Sequence, residues 1–379
     1  MPQAQPALPR RTVLGAIGAG AVALAVTPAA SAAAAPAAAA GTPGAAGGGL
    51  AGGVPQTRAI SPAGTAATRV RAGFPIRYAA VSWQGPRRGA SIRFHRAGET
   101  GPWQPLPAGC AGGPDGHESA GAGALVAAGG ADGYDLHLPD GASRVRSAAI
   151  DTAHGPVRAQ ARAVAGPLSF CGVEYLSRAA WGADESKRFK DGVENSPVKY
   201  YPLQTLTVHH TDTVNADPDP AASVRAVYEY HAVTLDWGDI GYHFLIDEAG
   251  RVYEGRWSGD DGIPAHDAAG NVVTAFHTSG FNSGNLGIAL LGTLSGQAPT
   301  GAARRSLTVL LGALTRAHGL DPRAHTTFVN PVNGVTRPVD MISGHRDWLA
   351  TDCPGGVMYA SLPQLRADVA ALGRAVRGG

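Results

Sequence analysis

At 379 residues the chain has room for two domains of ordinary size. Its formal net charge of +2, without a basic stripe or patch, excludes a nucleic-acid binder. Charged residues are sparse, lysine is nearly absent beside arginine, and alanine and glycine abound, a bias of genome composition more than of function.

Arg10-Arg11-Thr-Val-Leu opens the chain as a twin-arginine start, followed by the apolar run Val13–Val26 and the small-residue site Ala30-Ser31-Ala32. A charged n-region, a short h-region and such a cleavage site predict a secretory signal over residues 1–32, exported by the Tat route. The apolar run is too short and too rich in Gly and Ala for a good membrane span, so no stable span is expected once the signal is removed. Residues 33–56, almost wholly Ala, Gly, Pro and Thr, read as a flexible linker.

Residues 57–165 carry strand signals of period two. Ile92 and Phe94 alternate with Arg93 and His95, and Tyr134–Leu138 and Ser143–Ser147 repeat the pattern. A small β-rich, sandwich-like domain is expected, with core packing the main role for Trp83 and Trp103, although either could stack on a sugar ring.

From residue 170 to the end the pattern is mixed. Leu203–Val208 predicts a strand running into His209-His210. Asp219-Pro220 is an N-cap with Pro at the first helical position, and Val224, Val227, Tyr228, His231 and Leu235 fall on one helical face. Tyr242–Asp247 and Arg251–Glu254 flank Glu-Ala-Gly as a hairpin, and Leu286–Leu294 is a buried strand. Further helices are marked by Leu307, Leu310, Leu311 and Leu314, stopped by Gly319 and Pro322, and by Leu365, Val369, Leu372 and Val376. The fold class predicted is α/β, a central mixed sheet flanked by helices.

The chemistry concentrates in Gly344-His345-Arg346-Asp347 and Thr351-Asp352-Cys353-Pro354-Gly355. Imidazole and thiolate ligands suit zinc, and a zinc enzyme needs three protein ligands with a fourth position left for water. The His209-His210 pair is the best source of the third ligand, and only one of the two is expected to enter the site. By the period of two, Leu206 and Val208 share one face of its strand, while Thr205, Thr207 and His209 share the other, so His209 and His210 point apart.

Val208-His-His-Thr211, Trp237-Gly-Asp-Ile-Gly-Tyr-His-Phe-Leu-Ile246, Val252-Tyr-Glu-Gly-Arg256, His277-Thr-Ser-Gly-Phe-Asn282, Asn285-Leu-Gly-Ile288, Gly344–Asp347 and Thr351–Gly355 occur in this order. The segment from roughly Tyr175 to Leu372 resembles the peptidoglycan recognition protein and type 2 N-acetylmuramoyl-L-alanine amidase family. That resemblance implies zinc ligands at His209, His345 and Cys353 and a catalytic tyrosine at Tyr242. Thr351, a second catalytic residue on this resemblance with a part in oxyanion stabilisation, stands where some phage and bacterial members have lysine, as in the catalytic animal proteins, and recognition-only members lack the cysteine present here. His231 and His277 match positions lining the muropeptide groove, and Arg256 could pair with a stem-peptide carboxylate. Asp347 reads equally as a partner of the His345 imidazole or as a surface ion pair with Arg346, and Glu254 as structural. The expected protein is a secreted or wall-associated zinc hydrolase, monomeric, cutting the amide between N-acetylmuramic acid and L-alanine.

With Cys353 on the metal, Cys110 and Cys171 remain, and an even remainder in an exported protein suggests a disulfide. Two other readings compete. A binding module without turnover is opposed by the complete His/His/Cys set and Tyr242. A cysteine hydrolase with Cys353 as nucleophile and His345 as base is opposed by the Pro-Gly that follows the cysteine.

Overall fold

Strands rich in Val, Ile, Leu and Ala dominate the fold, and their polarity pattern decides how they stack. The structure, a computed structural model, describes residues 53–62, 68–107, 109–110, 112–115, 121–158 and 168–375, with the backbone alone at 110, 374 and 375. The expected signal over residues 1–32 and most of the expected linker lie outside the described residues. The linker's last residues are already part of the fold, because Val54-Pro55 pairs antiparallel with Val157-Arg158 and Val54 is buried.

In the β-rich segment, β1 (Arg58–Ile60), β2 (Arg69–Gln84), β3 (Ser91–Arg96), β4 (Gly121–His137) and β5 (Ser143–Asp151) pair antiparallel in the order β1-β5-β2-β4-β3. Three two-residue strands complete eight in this sheet among the described residues. Register shifts near Ile76 bend β2, as bulges do. The segment expected as a sandwich is thus one continuous sheet, curled over a core of its own that contains Trp83, Ile92, Phe94 and Tyr134.

The second sheet contains β6 (Thr205–His210), β7 (Phe244–Ile246), β8 (Val252–Glu254), β9 (Asn285–Leu290) and β10 (Ile342–Gly344), in the order β8-β7-β9-β6-β10. All pairs are parallel except the β7–β8 hairpin. Both faces are covered, which is why β6 and β9 read as unbroken buried runs. On one face Leu206, Val208 and Ile288 pack against Leu307 and Leu311 of α2 (Gly301–Ala317) and Leu365 of α3 (Leu362–Ala375). On the other, Leu245 and Ala289 meet Val224, Val227 and Tyr228 of α1 (Pro220–Glu229), and the same core takes in Tyr78, Ala80 and Ile150 of the curled sheet. The order of layers is therefore helices, mixed sheet, α1, curled sheet.

Helix α1 starts as the sequence predicts: the Asp219 side chain accepts from the Ala222 N–H, with Pro220 at the first position. Instead of ending, it widens into a π-helical turn over Tyr230–Thr234 that carries His231. Such turns re-aim side chains and recur at functional sites. A hairpin the sequence did not flag, His325–Val329 with Thr336–Asp340, places Phe328 and Val339 against Phe281 and Trp348 beneath the cysteine loop. Among the described residues, no helix is long and apolar enough to cross a membrane.

Candidate metal centre

The parallel strands β6 and β10 end side by side, and the candidate ligands sit at these carboxyl ends, where open α/β sheets form their sites. His209 is the penultimate residue of β6, and His345 follows β10 directly. Cys353 arrives on a loop held by Arg346, whose N–H donates to the Cys353 carbonyl at 3.1 Å and whose guanidinium donates to the Asp352 carbonyl.

The strand period sends Val208 into the helix-side core and His209 to the opposite face, beside Cys353. One ligand atom from each of His209, His345 and Cys353 lies within 4.8 Å of the others. Cys353 Sγ is 3.6 Å from His209 Nδ1. A tetrahedral zinc with Zn–S of about 2.3 Å and Zn–N of about 2.0–2.1 Å separates such ligands by about 3.6 Å. His345 Nε2 is buried without a hydrogen-bond partner, the condition of a nitrogen left for a cation. These residues fit a zinc ion. His210 takes no part in the cluster, its Nδ1 accepting the Leu294 N–H at 3.2 Å.

Behind His209 runs a chain that fixes its tautomer. His277 Nε2 lies 2.9 Å from the Asn285 carbonyl and so is the protonated nitrogen. Its Nδ1 then accepts from His209 Nε2 at 3.0 Å, leaving His209 Nδ1 with a lone pair toward the sulfur. Gly287 makes this possible, since a Cβ there would stand 2.6 Å from the His277 ring. The chain continues to a residue that sequence reasoning missed. Asn282 Oδ1 accepts the His277 and Thr278 N–H groups, and Asp115 of the β-rich segment accepts from the Asn282 N–H and side-chain amide and from the Ser283 N–H, at 2.8–3.0 Å.

Burial sets the protonation states. It drives His209 well below the ordinary imidazole range and His345 down to about 3, so both are neutral at pH 7. Burial pushes the Cys353 thiol up to about 12 in the metal-free protein, although the His210 N–H at 3.4 Å pulls the other way. A thiol so raised is a poor free nucleophile, which opposes the cysteine-hydrolase reading. The Tyr242 hydroxyl is also raised, by burial first and by the charge of Cys353 second, and stays protonated.

Tyr242 lies with its ring centroid 5.2 Å from that of His209 and 5.4 Å from that of His231. His231 accepts the Gly241 N–H on Nδ1 at 3.0 Å and stacks near Trp237. Thr351 accepts the Cys353 N–H at 3.3 Å. Tyr242, His231, Trp237 and Thr351, with His345 and Cys353, line a cleft of roughly 1060 Å³.

Three expected roles need correction. Arg256 is buried away from the cleft, stacked on Phe276 and donating to Ser196, because its guanidinium is enclosed by the loops around it. His277 lines the cleft as expected, but both its ring nitrogens are engaged, so it braces His209 instead of bonding a ligand there. Among the described residues the Asp347 carboxylate makes no ion pair with Arg346 and no bond to the His345 ring; it accepts from the Gly344 N–H at 2.8 Å and the Tyr359 hydroxyl at 2.5 Å. Glu254 is structural, accepting the Arg178 N–H. Cys171, expected in a bridge, is an exposed free thiol, and the side chain of Cys110 lies outside the described residues. Sequence reasoning also missed the buried pair Arg178–Asp239 at 2.9 Å, which ties the Trp237–Tyr242 loop to the body. Asp239 lies inside the Trp237–Ile246 motif, so its signal was present in the sequence.

The profile described as N-acetylmuramoyl-L-alanine amidase matches residues 199–356. The human N-acetylmuramoyl-L-alanine amidase is 35% identical over 42% of this chain and 23% of its own length. Peptidoglycan-recognition protein SC2 of Drosophila melanogaster is 30% identical over 48% of this chain and 82% of its own. Among solved structures, Drosophila PGRP-LB covers 50% of this chain and 91% of its own, with 25% identity and a TM-score of 0.37. The chain spans only about a quarter of the length of the mammalian amidases it matches.

Proposed function

Because the chain belongs to the peptidoglycan recognition protein and type 2 N-acetylmuramoyl-L-alanine amidase family, we propose that it is a zinc-dependent amidase that releases the stem peptide from N-acetylmuramic acid. The observation that carries this reading is the convergence of His209, His345 and Cys353, the last two of which line an open cleft together with Tyr242. In this reading residues 1–32 direct export by the Tat route, and the protein works as a monomer in or near the wall, with residues 170–379 as its catalytic part.

His209 Nδ1, His345 and the Cys353 thiolate would hold the ion. Bound zinc supplies Lewis acidity and lowers the pKa of a water toward neutrality. The protein's own residues do the rest. His277 keeps His209 in the ligating tautomer. Tyr242, held protonated, donates a hydrogen bond to the amide oxygen as negative charge develops there. His231, with Nδ1 occupied by the Gly241 N–H, presents Nε2–H as a second donor. Thr351 braces the cysteine loop through the Cys353 N–H and is too weak a donor to replace Tyr242.

The test is a chelation and add-back series on the intact chain with a disaccharide peptide, reading the free amino group of the released L-alanine. Activity should vanish on chelation and return with zinc. Turnover that survives complete metal removal overturns the proposal.

A further inference from the structure

We propose that the curled sheet is the second wall of the substrate cleft, with Arg87 and Arg88 binding carboxylates of the peptide arm and Trp103 serving as a platform. This rests on the amidase reading and adds a binding site on a part of the chain that the matched family profile, residues 199–356, does not cover.

The cleft does not end at the amidase residues. The space that reaches Tyr242, His345 and Cys353 is also lined by Arg87, Arg88 and Trp103, from the β2–β3 turn and the segment after β3. This wall is fixed. The Tyr78 and Ser223 hydroxyls lie 2.7 Å apart in the buried interface, Arg77 pairs with Asp217 at 2.7 Å, and the Thr152 hydroxyl donates to the Ala222 carbonyl at 2.8 Å. Asp115 adds its contacts to Asn282 and Ser283. A surface held by polar bonds from β2, from Thr152 just after β5 and from the Asp115 loop keeps its place beside the cleft.

The two walls differ in charge. Asp212 and Asp352 line the catalytic side, and the paired arginines line the sheet side. A ligand carrying carboxylates is repelled from the first and drawn to the second, where a planar guanidinium grips a carboxylate through two N–H groups. That polarity orients a muropeptide with its amide at Cys353 and its peptide acids at the arginines. Trp103 is 45% exposed although the Arg93 guanidinium sits 4.6 Å from its ring centroid, and Arg93 is itself held by Asp135 at 2.8 Å. An exposed indole held in place by a cation is a preorganised apolar platform.

Binding is measured by calorimetry on the full chain carrying Cys353→Ala, which blocks cleavage. The probes are a muramoyl peptide with free carboxylates and the same molecule with its carboxylates amidated. Adding Arg87→Ala and Arg88→Ala should raise Kd for the free-acid probe by about tenfold or more, as loss of charged hydrogen bonds does, and leave the amidated probe unchanged. Trp103→Ala should weaken both probes. In the zinc-loaded enzyme the arginine variants should raise KM and leave kcat alone. Arg88→Ala by itself, at an exposed turn, serves if the double variant is misfolded. An unchanged Kd for the free-acid probe overturns the inference while wild-type hydrolysis upholds the amidase reading. Absence of both muropeptide binding and hydrolysis overturns the two together.

Discussion

The neutral imidazoles and the raised thiol at the cleft floor make the pH dependence of metal uptake a property of Cys353. His345, near 3, is already deprotonated at neutral pH, so the thiol near 12 is the group that must release a proton to ligate. Zinc affinity of the metal-free protein should rise by about tenfold per pH unit between about pH 6.5 and 8; competition with a chelating dye measures it, and a flat profile removes Cys353 from the ligand set. Tyr242→Phe should lower kcat by about 10²–10³ with KM little changed, the usual loss for one oxyanion donor, and steady-state kinetics decides. His231 and His277 have folded values of about 3 and about 4, held down by burial, against about 6.5 when unfolded. Below about pH 6.5 the unfolded chain takes up protons that the folded chain refuses, so stability falls with pH by up to about 1.4 kcal/mol per unit for each histidine. Urea titrations of metal-free protein at pH 7 and 5 should separate clearly, and coincident curves contradict the depressed values.

Elements deliver these residues, and some of the delivery was readable beforehand. Strand β6 ends in two histidines whose opposite facing follows from the period of two, and α1 announces its start through Asp219-Pro220. The π turn under His231 has no sequence mark, because it is a choice between two hydrogen-bond registers of the same residues. Nor could Asp115 be read, since its partner Asn282 lies 167 residues away and is reached only through packing. Asp115→Ala should free the 277–283 loop and weaken zinc binding by about 10–100-fold, as loss of supporting contacts behind a ligand does, with little loss of helix or strand content. Equal zinc affinity in variant and wild type would show that Asn282 holds His277 unaided.

At the scale of the molecule, the curled sheet and the mixed-sheet part share one core around Tyr78, Ile150, Val224 and Tyr228. Residues that would otherwise be two surfaces are buried against each other, each large side chain contributing about 1.5–3 kcal/mol. The intact chain should therefore melt in a single calorimetric transition whose van't Hoff and calorimetric enthalpies agree, and two resolved transitions would mean that this core is not cooperative. The amino-acid sequence by itself determined the candidate ligand types, the strand that carries His209, the helix that leads to His231, and the α/β class, because these depend on local periodicity and on residue chemistry. Only the tertiary structure decided that His277 braces His209, that Arg256 is enclosed, and that a sheet of no assigned chemistry lines the same cleft as His345 and Cys353. Those outcomes depend on which surfaces meet across long stretches of chain, and a one-dimensional pattern does not encode which of its apolar faces will find each other.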